Sequence, residues 1–391
     1  MQTLSEHRNQ ADAASANGSD ISLIPATLEH LDSIVEIEKR CFKIDRMSRR
    51  SFKRMIQVGN CDFILAKNED TIVGYVLVLY HRGTHLARIY SIAVLPEFRG
   101  HNLGQIMLQH AESLAVERLC IYMRLEVHPN NKGAIALYAR NQYRQFGVYH
   151  DYYEDHADAL RFQKRILYRS DQLNLISIPY VEQTTDFTCG PASLLMAMQS
   201  MNPNIVPDRT LELQIWREAT TIFMTSGHGG CSPLGLALAA HRRGFKVELY
   251  VNSRDPLFLD GVRSEDKKNV MTLVHNDFLR QLKKTDIRLN YTDLDIDTLV
   301  NSLKSGGIPI VLISSYHFNR SKAPHWVVVS GADDNFIYIH DPEVDEEEFR
   351  SATDNVYLPI ARDTFNRAFR FGLSGLRTAV IIYPKASEVA P

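Results

Sequence analysis

Cys189 stands directly before Gly190 and Pro191 and an apolar run from Leu194 to Met198. Proline suits the first turn of a helix, so the spacing predicts a helix that starts at or next to the thiol. A helix N-terminus favours the thiolate, and the thiolate is the nucleophile. Gln183 lies six positions earlier, close enough for its side-chain amide to join the Cys189 backbone N–H around a developing oxyanion. A base is supplied far downstream by His325, which opens the apolar strand Trp326 to Ser330. Sixteen residues further on is Asp341, after a turn at Asp333-Asp334-Asn335 and a second strand, Phe336 to His340. Antiparallel pairing of the two strands brings their outer ends together, so the carboxylate can hold the far nitrogen of His325 and fix its tautomer. His317 sits in a polar loop and His340 alternates away along its strand, which leaves His325 as the base. Cys41, Cys61, Cys120 and Cys231 read as small buried hydrophobes.

The other half of the chain carries an anion-binding pattern. Ile92, Ala93, Val94 and Leu95 run as a strand into Pro96-Glu97-Phe98-Arg99-Gly100-His101-Asn102-Leu103-Gly104, a loop that opens a helix. Exposed backbone N–H groups at such a strand-loop-helix junction form a pyrophosphate cradle. Asn102 is the kind of non-glycine residue best able to take positive φ there.

The order Gln183, Cys189, His325, Asp341 and these spacings resemble the C39-like peptidase family of the papain-like superfamily, over roughly residues 175 to 385. The stretch from Arg99 to Gly104 resembles the Arg/Gln-x-x-Gly-x-Gly signature of the GNAT N-acetyltransferases, with Asn102 where glycine is usual. Downstream, Leu125-Glu126-Val127-His128-Pro129-Asn130-Asn131 and on to Tyr138 is similar to the subgroup that acetylates protein N-terminal amines, the ribosomal-protein alanine acetyltransferases; Tyr152-Tyr153-Glu154-Asp155 adds to this likeness, which spans about residues 21 to 168. It implies acetyl-CoA as cosubstrate, held by residues 92–94 and 99–104 with Asn131. It also implies Glu126 as general base, directly or through water, and Tyr138 as the acid that reprotonates the CoA thiolate. The chemistry agrees, because an attacking ammonium must lose a proton and a departing thiolate must gain one. Phe42 to Phe52 is rich in Arg and Lys and departs from the aromatic and proline character of the substrate loop in that subgroup, leaving the acceptor amine open.

The elements that must position these residues fit two domains, as 391 residues suggest. Residues 1–20 read as a disordered leader without the apolar core of a secretory signal. Residues 21–168 alternate strands and helices, an α/β domain closed by a strand at 161–168. A polar linker, 169–174, leads into an α+β domain, 175–391, with helices first (Cys189 to Met201, Pro207 to Thr221, Pro233 to Arg243) and sheet later. A net charge of −2 gives no general attraction to nucleic acid or acidic lipid. No apolar run approaches the ~20 residues needed to span a bilayer. Five irregularly spaced cysteines argue for a reducing compartment, hence the cytoplasm. His228 and Cys231, in a glycine-rich loop, read as structural and not as metal ligands.

The expectation is a bifunctional enzyme with an acetyl-CoA-dependent N-acetyltransferase and a cysteine peptidase, both acting on a peptide or protein substrate, with no metal. Two alternatives are open: the thiol site may pass its acyl group to an amine instead of water, or one domain may only bind a peptide or CoA.

Overall fold

The computed structural model describes residues 21–167, 173–220, 229–259, 262–316, 323–345, 352 and 354–384. The leader, most of the linker, His228 and His317 lie outside them. The described residues fall into two compact units, centred on 21–167 and 173–384.

The first unit runs β1 (Ile21–Pro25), α1 (Leu31–Cys41), α2 (Arg49–Val58), β2 (Cys61–Asn68), β3 (Thr71–Tyr80), β4 (Leu86–Val94), α3 (Leu103–Glu117), β5 (Tyr122–Val127), α4 (Lys132–Arg140), β6 (Arg144–Tyr149) and β7 (Ala159–Arg165). The seven strands form one sheet in the order β1-β2-β3-β4-β5-β7-β6. All neighbours are antiparallel except β4 and β5, which run parallel from Leu86↔Tyr122 to Ile89↔Leu125. The ladder stops there although both strands continue, so the sheet opens into a wedge at the end of β4. Across that sheet α3 buries Leu103, Met107, Leu108, Ala111 and Ala115, one stripe at helical spacing, against Val76, Val78, Met123 and Leu125. The closing strand starts two residues earlier than the sequence suggests.

The second unit runs β8 (Asn174–Leu175), α5 (Cys189–Met201), α6 (Arg209–Ala219), α7 (Pro233–Arg242), β9 (Lys246–Val251), α8 (Glu265–Leu282), β10 (Arg288–Asn290), α9 (Ile296–Lys304), β11 (Ile308–Ser314), β12 (Pro324–Ala332), β13 (Phe336–His340), β14 (Leu358–Ala361), α10 (Arg362–Ala368) and β15 (Thr378–Tyr383). The sheet order is β10-β9-β15-β11-β12-β13-β14, with β8 also on β12. Only β10 and β9 are parallel. Apolar on nearly every side, α5 and α7 are buried around their whole circumference, with Ser232 capping α7 and Pro233 at its first position. Both join the sheet in one core containing Leu195, Met198, Leu236, Ala237, Leu312 and Val328.

Between β12 and β13 the register shifts by one residue between Val329 and Gly331. There the Ser330 carbonyl accepts the Ile176 N–H at 2.8 Å. A Cβ on Gly331 would sit 2.5 Å from the Asn174 carbonyl oxygen, so β8 can cross only because that residue is glycine. Asn174, placed in the linker from sequence, instead pairs with Ala332. Helices are not confined to the first half of this unit, because α8, α9 and α10 lie among the strands. The sequence reading left residues 252–307 unassigned, since α8 buries a narrow stripe, Met271, His275, Phe278 and Leu282, that includes a histidine. No helix of the described residues is long and apolar enough to cross a membrane.

Two candidate active sites

Cys189 opens α5, so its thiol lies at a helix N-terminus. The close packing there leaves no room beside it: a Cβ on Gly190 would come within 3.2 Å of Cys231 Cβ and Leu236 Cδ1 and 3.3 Å of Trp326 Cδ1. From inside α5, Ser193 Oγ donates to the Trp326 carbonyl at 3.1 Å. This pins the helix start to β12 next to His325, the strand's second residue. His325 is buried; its Nε2 lies 2.7 Å from Asp341 Oδ1, and its ring shares a hydrogen bond with Cys189. Since Asp341 occupies Nε2, Nδ1 is left for the thiol. Burial alone pulls the imidazole down, but the Asp341 carboxylate and Cys189 outweigh it and hold His325 well above the usual histidine range. The protonated ring is therefore the favoured form. Glu343 is a more distant neighbour of Nδ1, at 3.9 Å.

Residues that the sequence reading did not single out fix this chain. Tyr180 Oη donates to the Asp341 carbonyl at 2.9 Å, the Asp341 N–H donates to the Asn355 carbonyl at 2.9 Å, and the Glu343 N–H donates to Asp341 Oδ1 at 3.0 Å. Gln183 sits at the same end of the sheet, its backbone N–H on the Pro342 carbonyl at 3.0 Å. Beside it, Thr184 gives both its N–H and its hydroxyl to Glu212, at 2.9 and 2.7 Å. Glu212 is buried on α6; a buried carboxylate in an amphipathic helix was the available signal for that support. The Gln183 side-chain oxygen is buried without a hydrogen-bond partner, so its amide is free to reorganise.

Cys189 also lines a cavity of about 420 Å³, with Cys231, Phe258, Met271, Trp326 and Leu373 among its walls. Thus Cys231, expected to be a mere packing residue, shares a cavity with the nucleophile candidate. Cys41 and Cys61 are only partly buried, and their thiols donate to the Val94 and Met55 carbonyls, both at 3.3 Å. Among the described residues no three His, Cys, Asp or Glu side chains gather for a metal ion.

In the first unit the loop after β4 has the conformation a cradle requires. Asn102 takes left-handed φ, +59°, at the N-cap of α3. Gly100 has φ +87° with nothing within 4 Å of where a Cβ would be. At Gly104 a Cβ would come 3.4 Å from Leu137 Cδ2, so α3 and α4 approach closely. The first N–H groups of α3, from Leu103 and Gly104, have no acceptor within the helix, and the wedge between β4 and β5 begins beside Ile92, Ala93 and Val94. These residues fit a diphosphate and an extended amide arm. Arg99 folds back, its Nε on the Val94 carbonyl at 3.1 Å, and His101 is exposed in the loop. Asn131 caps α4, its Oδ1 accepting from the Ala134 N–H at 3.2 Å, which leaves only its amide nitrogen for a ligand.

Glu126 is not the solvated strand-end carboxylate its place on β5 allowed. Its Oε2 takes the Arg88 guanidinium at 2.7 Å, both side chains about 95 % shielded, and its Oε1 is buried with no partner. Arg88 also donates to Tyr152 Oη at 3.0 Å. Tyr138 is buried; burial, then the charge on Glu126, pushes its phenol far above the ordinary tyrosine value, which keeps its proton in place. The same two influences with Tyr152 raise Tyr153, whose ring lies 4.9 Å from that of His128. The Glu154 N–H donates to Asp45 at 3.0 Å, linking the basic segment after α1 to the Tyr152-Tyr153 loop.

An open α/β sheet with a cradle after β4, followed by an α+β unit with a buried Cys-His-Asp chain, defines an acetyltransferase fold joined to a papain-like one. The chain belongs to the Peptidase_C39 like family, which it matches over residues 178–383, more than half its length, and its first unit is a domain of the acetyltransferase (GNAT) family, matched over 31–143. That domain resembles the ribosomal-protein alanine acetyltransferases. An uncharacterised N-acetyltransferase of Methanocaldococcus jannaschii is 32% identical over 136 residues, 34% of this chain and 85% of that protein. A Bacillus subtilis protein described as a ribosomal-protein alanine N-acetyltransferase is 25% identical over 131 residues, with the same two coverages. Solved structures similar to this chain include the Escherichia coli ribosomal-protein alanine N-acetyltransferase, at 21% identity and TM-score 0.36, covering 39% of this chain and 99% of that one. The Thermoplasma acidophilum Paia N-acetyltransferase with coenzyme A is 17% identical at TM-score 0.32, covering 37% and 98%.

Proposed function

We propose that this protein is a bifunctional enzyme in which the GNAT domain acetylates an amine of a peptide or protein and the second domain cleaves a peptide amide through Cys189, His325 and Asp341. The observation that carries the second activity is the hydrogen-bonded chain from Asp341 through a buried His325 to a thiol at a helix N-terminus. Cys189 Sγ attacks the amide carbon, and the carbonyl oxygen gathers charge where the Cys189 N–H and the Gln183 amide donate. His325 Nδ1 gives its proton to the departing amine, leaving a thioester. The same nitrogen then takes a proton from water as water attacks the thioester, and Cys189 is released.

For the first activity, acetyl-CoA would lie with its diphosphate on residues 99–104 and its arm along residues 92–94, within reach of Asn131, and it supplies an acetyl thioester. Glu126 Oε1, the oxygen that Arg88 leaves free, accepts the proton of the incoming ammonium. Tyr138 Oη, held protonated by burial, returns a proton to the leaving sulfur. A peptide library incubated with wild type and Cys189→Ala, with products read by mass, tests the hydrolase; equal turnover by both refutes it. Adding free amines to the same reaction separates hydrolysis from acyl transfer. Acetyl-CoA titration of Gly100→Val tests the cradle, and unaltered affinity refutes it.

A further inference from the structure

Resting on the hydrolytic reading above, we infer that the cavity beside Cys189 is a recognition pocket for a large uncharged apolar side chain of the peptide, aromatic or branched aliphatic, close to the amide that is cut. Two independent features point to that occupant.

The first is the lining. Apart from the thiols of Cys189 and Cys231, no lining residue carries an ionisable group, and Ser374 alone offers a hydroxyl. A charged side chain entering would shed its hydration without a partner, a large penalty. A volume of about 420 Å³ lies within the range of pockets that enclose whole ligands, so glycine or alanine would leave apolar walls facing water. The walls are rigid as well as apolar: the Phe258 and Phe371 rings meet edge to face at 6.0 Å, and the Gly229 carbonyl on the opposite side accepts from Trp216 Nε1 and Thr220 Oγ1, at 2.9 and 3.2 Å.

The second feature is Leu373, which is 98% exposed yet lines the cavity. It is not on a loose tip. Phe371 and Leu376 exchange both backbone hydrogen bonds at 2.8 Å, and Gly372 and Gly375 take φ +70° and +63°. Asn252 Nδ2 holds the Gly375 carbonyl at 3.0 Å. The turn therefore keeps a leucine in water at the mouth of an apolar pocket that contains the nucleophile. An apolar substrate side chain entering beside it removes both surfaces from water together.

The test labels the full-length protein with tripeptidyl acyloxymethyl ketones in which one position at a time is Gly, Leu, Phe, Asp or Lys, and follows capture of Cys189 by mass. At one position Leu or Phe should react at least tenfold faster than Gly, and faster still than Asp or Lys. Equal rates at every position, or a preference for Gly or a charged residue, would overturn the pocket assignment. Iodoacetamide is run in parallel: if it alkylates Cys189 no faster than an ordinary cysteine, it is the hydrolytic reading that fails. Leu373→Asp, at an exposed site that leaves the fold and the iodoacetamide rate intact, should slow the Phe probe at least fivefold and favour the Lys probe. An unchanged ranking in that variant also overturns the proposal.

Discussion

His325 and Glu126 are buried titratable groups held by an opposite charge, and each makes a prediction. Because Asp341 and Cys189 hold His325 above its usual value against the pull of burial, the native state keeps a proton that the unfolded chain loses near pH 6.5. This stabilisation is fully present below about pH 6.5 and fades as pH rises toward the raised folded value. Asp341→Asn should flatten that decline in urea midpoints measured from pH 6 to 9, and should slow iodoacetamide capture of Cys189 near neutral pH by at least about tenfold. At the other site, Glu126→Gln should lower kcat by about 10²–10⁴ while acetyl-CoA affinity stays the same. Arg88→Met leaves the carboxylate buried and unpaired, and should cost about 3–5 kcal/mol in denaturant unfolding. The triad candidates were legible as residues because sulfur, imidazole and carboxylate in that order have few alternatives. Arg88 and Glu212 were not, since a charged residue in a strand or helix looks solvated until the sheet above it is known.

Helix caps and close approaches decide whether the positioning elements hold. Asn131 was expected to touch the cofactor, and it caps α4. Asn131→Ala should lose about 1 kcal/mol of stability, whereas Asn131→Asp restores the cap. Comparing acetyl-CoA affinity in the two variants separates the roles, because a direct contact through the amide nitrogen is lost in both. Gly190→Ala forces a methyl into a space bounded at 3.2–3.3 Å and should cost about 1–3 kcal/mol in thermal or urea unfolding, with the thiol displaced and its alkylation slowed. Elements with strong periodicity or clean punctuation were readable: α3 from its apolar stripe, α7 from Ser232-Pro233, β12 from its continuous apolar run. Asn102 was read as tolerating positive φ and takes it. By contrast α8, β10, α9, β14 and α10 escaped notice, because what makes them helix or strand is the surface they lie against, and no local spacing records that.

Each unit of the molecule has its own sheet and core, so the two activities should fail separately. Cys189→Ala should leave acetyl-CoA binding within error of wild type, and Gly100→Val should leave the iodoacetamide rate at Cys189 unchanged; any cross-effect of twofold or more would contradict independent units. The chain's two-part design was visible in its length and in two unrelated chemistries, but the crossing of β8 over β12 was not, since it depends on a glycine meeting a segment more than 150 residues away. The one-residue register shift near Ser330 governs which side chain the imidazole meets. Counting the pairing from Val328↔His340, Asp341 falls opposite Val327, on the same side of the sheet as His325. Counted from Gly331↔Tyr338, without the extra residue, it would fall opposite Val328 and point away, while His340 would turn toward His325 in its place. A single codon deleted at position 330 would thus exchange the triad's acid for a second imidazole while leaving every triad residue in the chain.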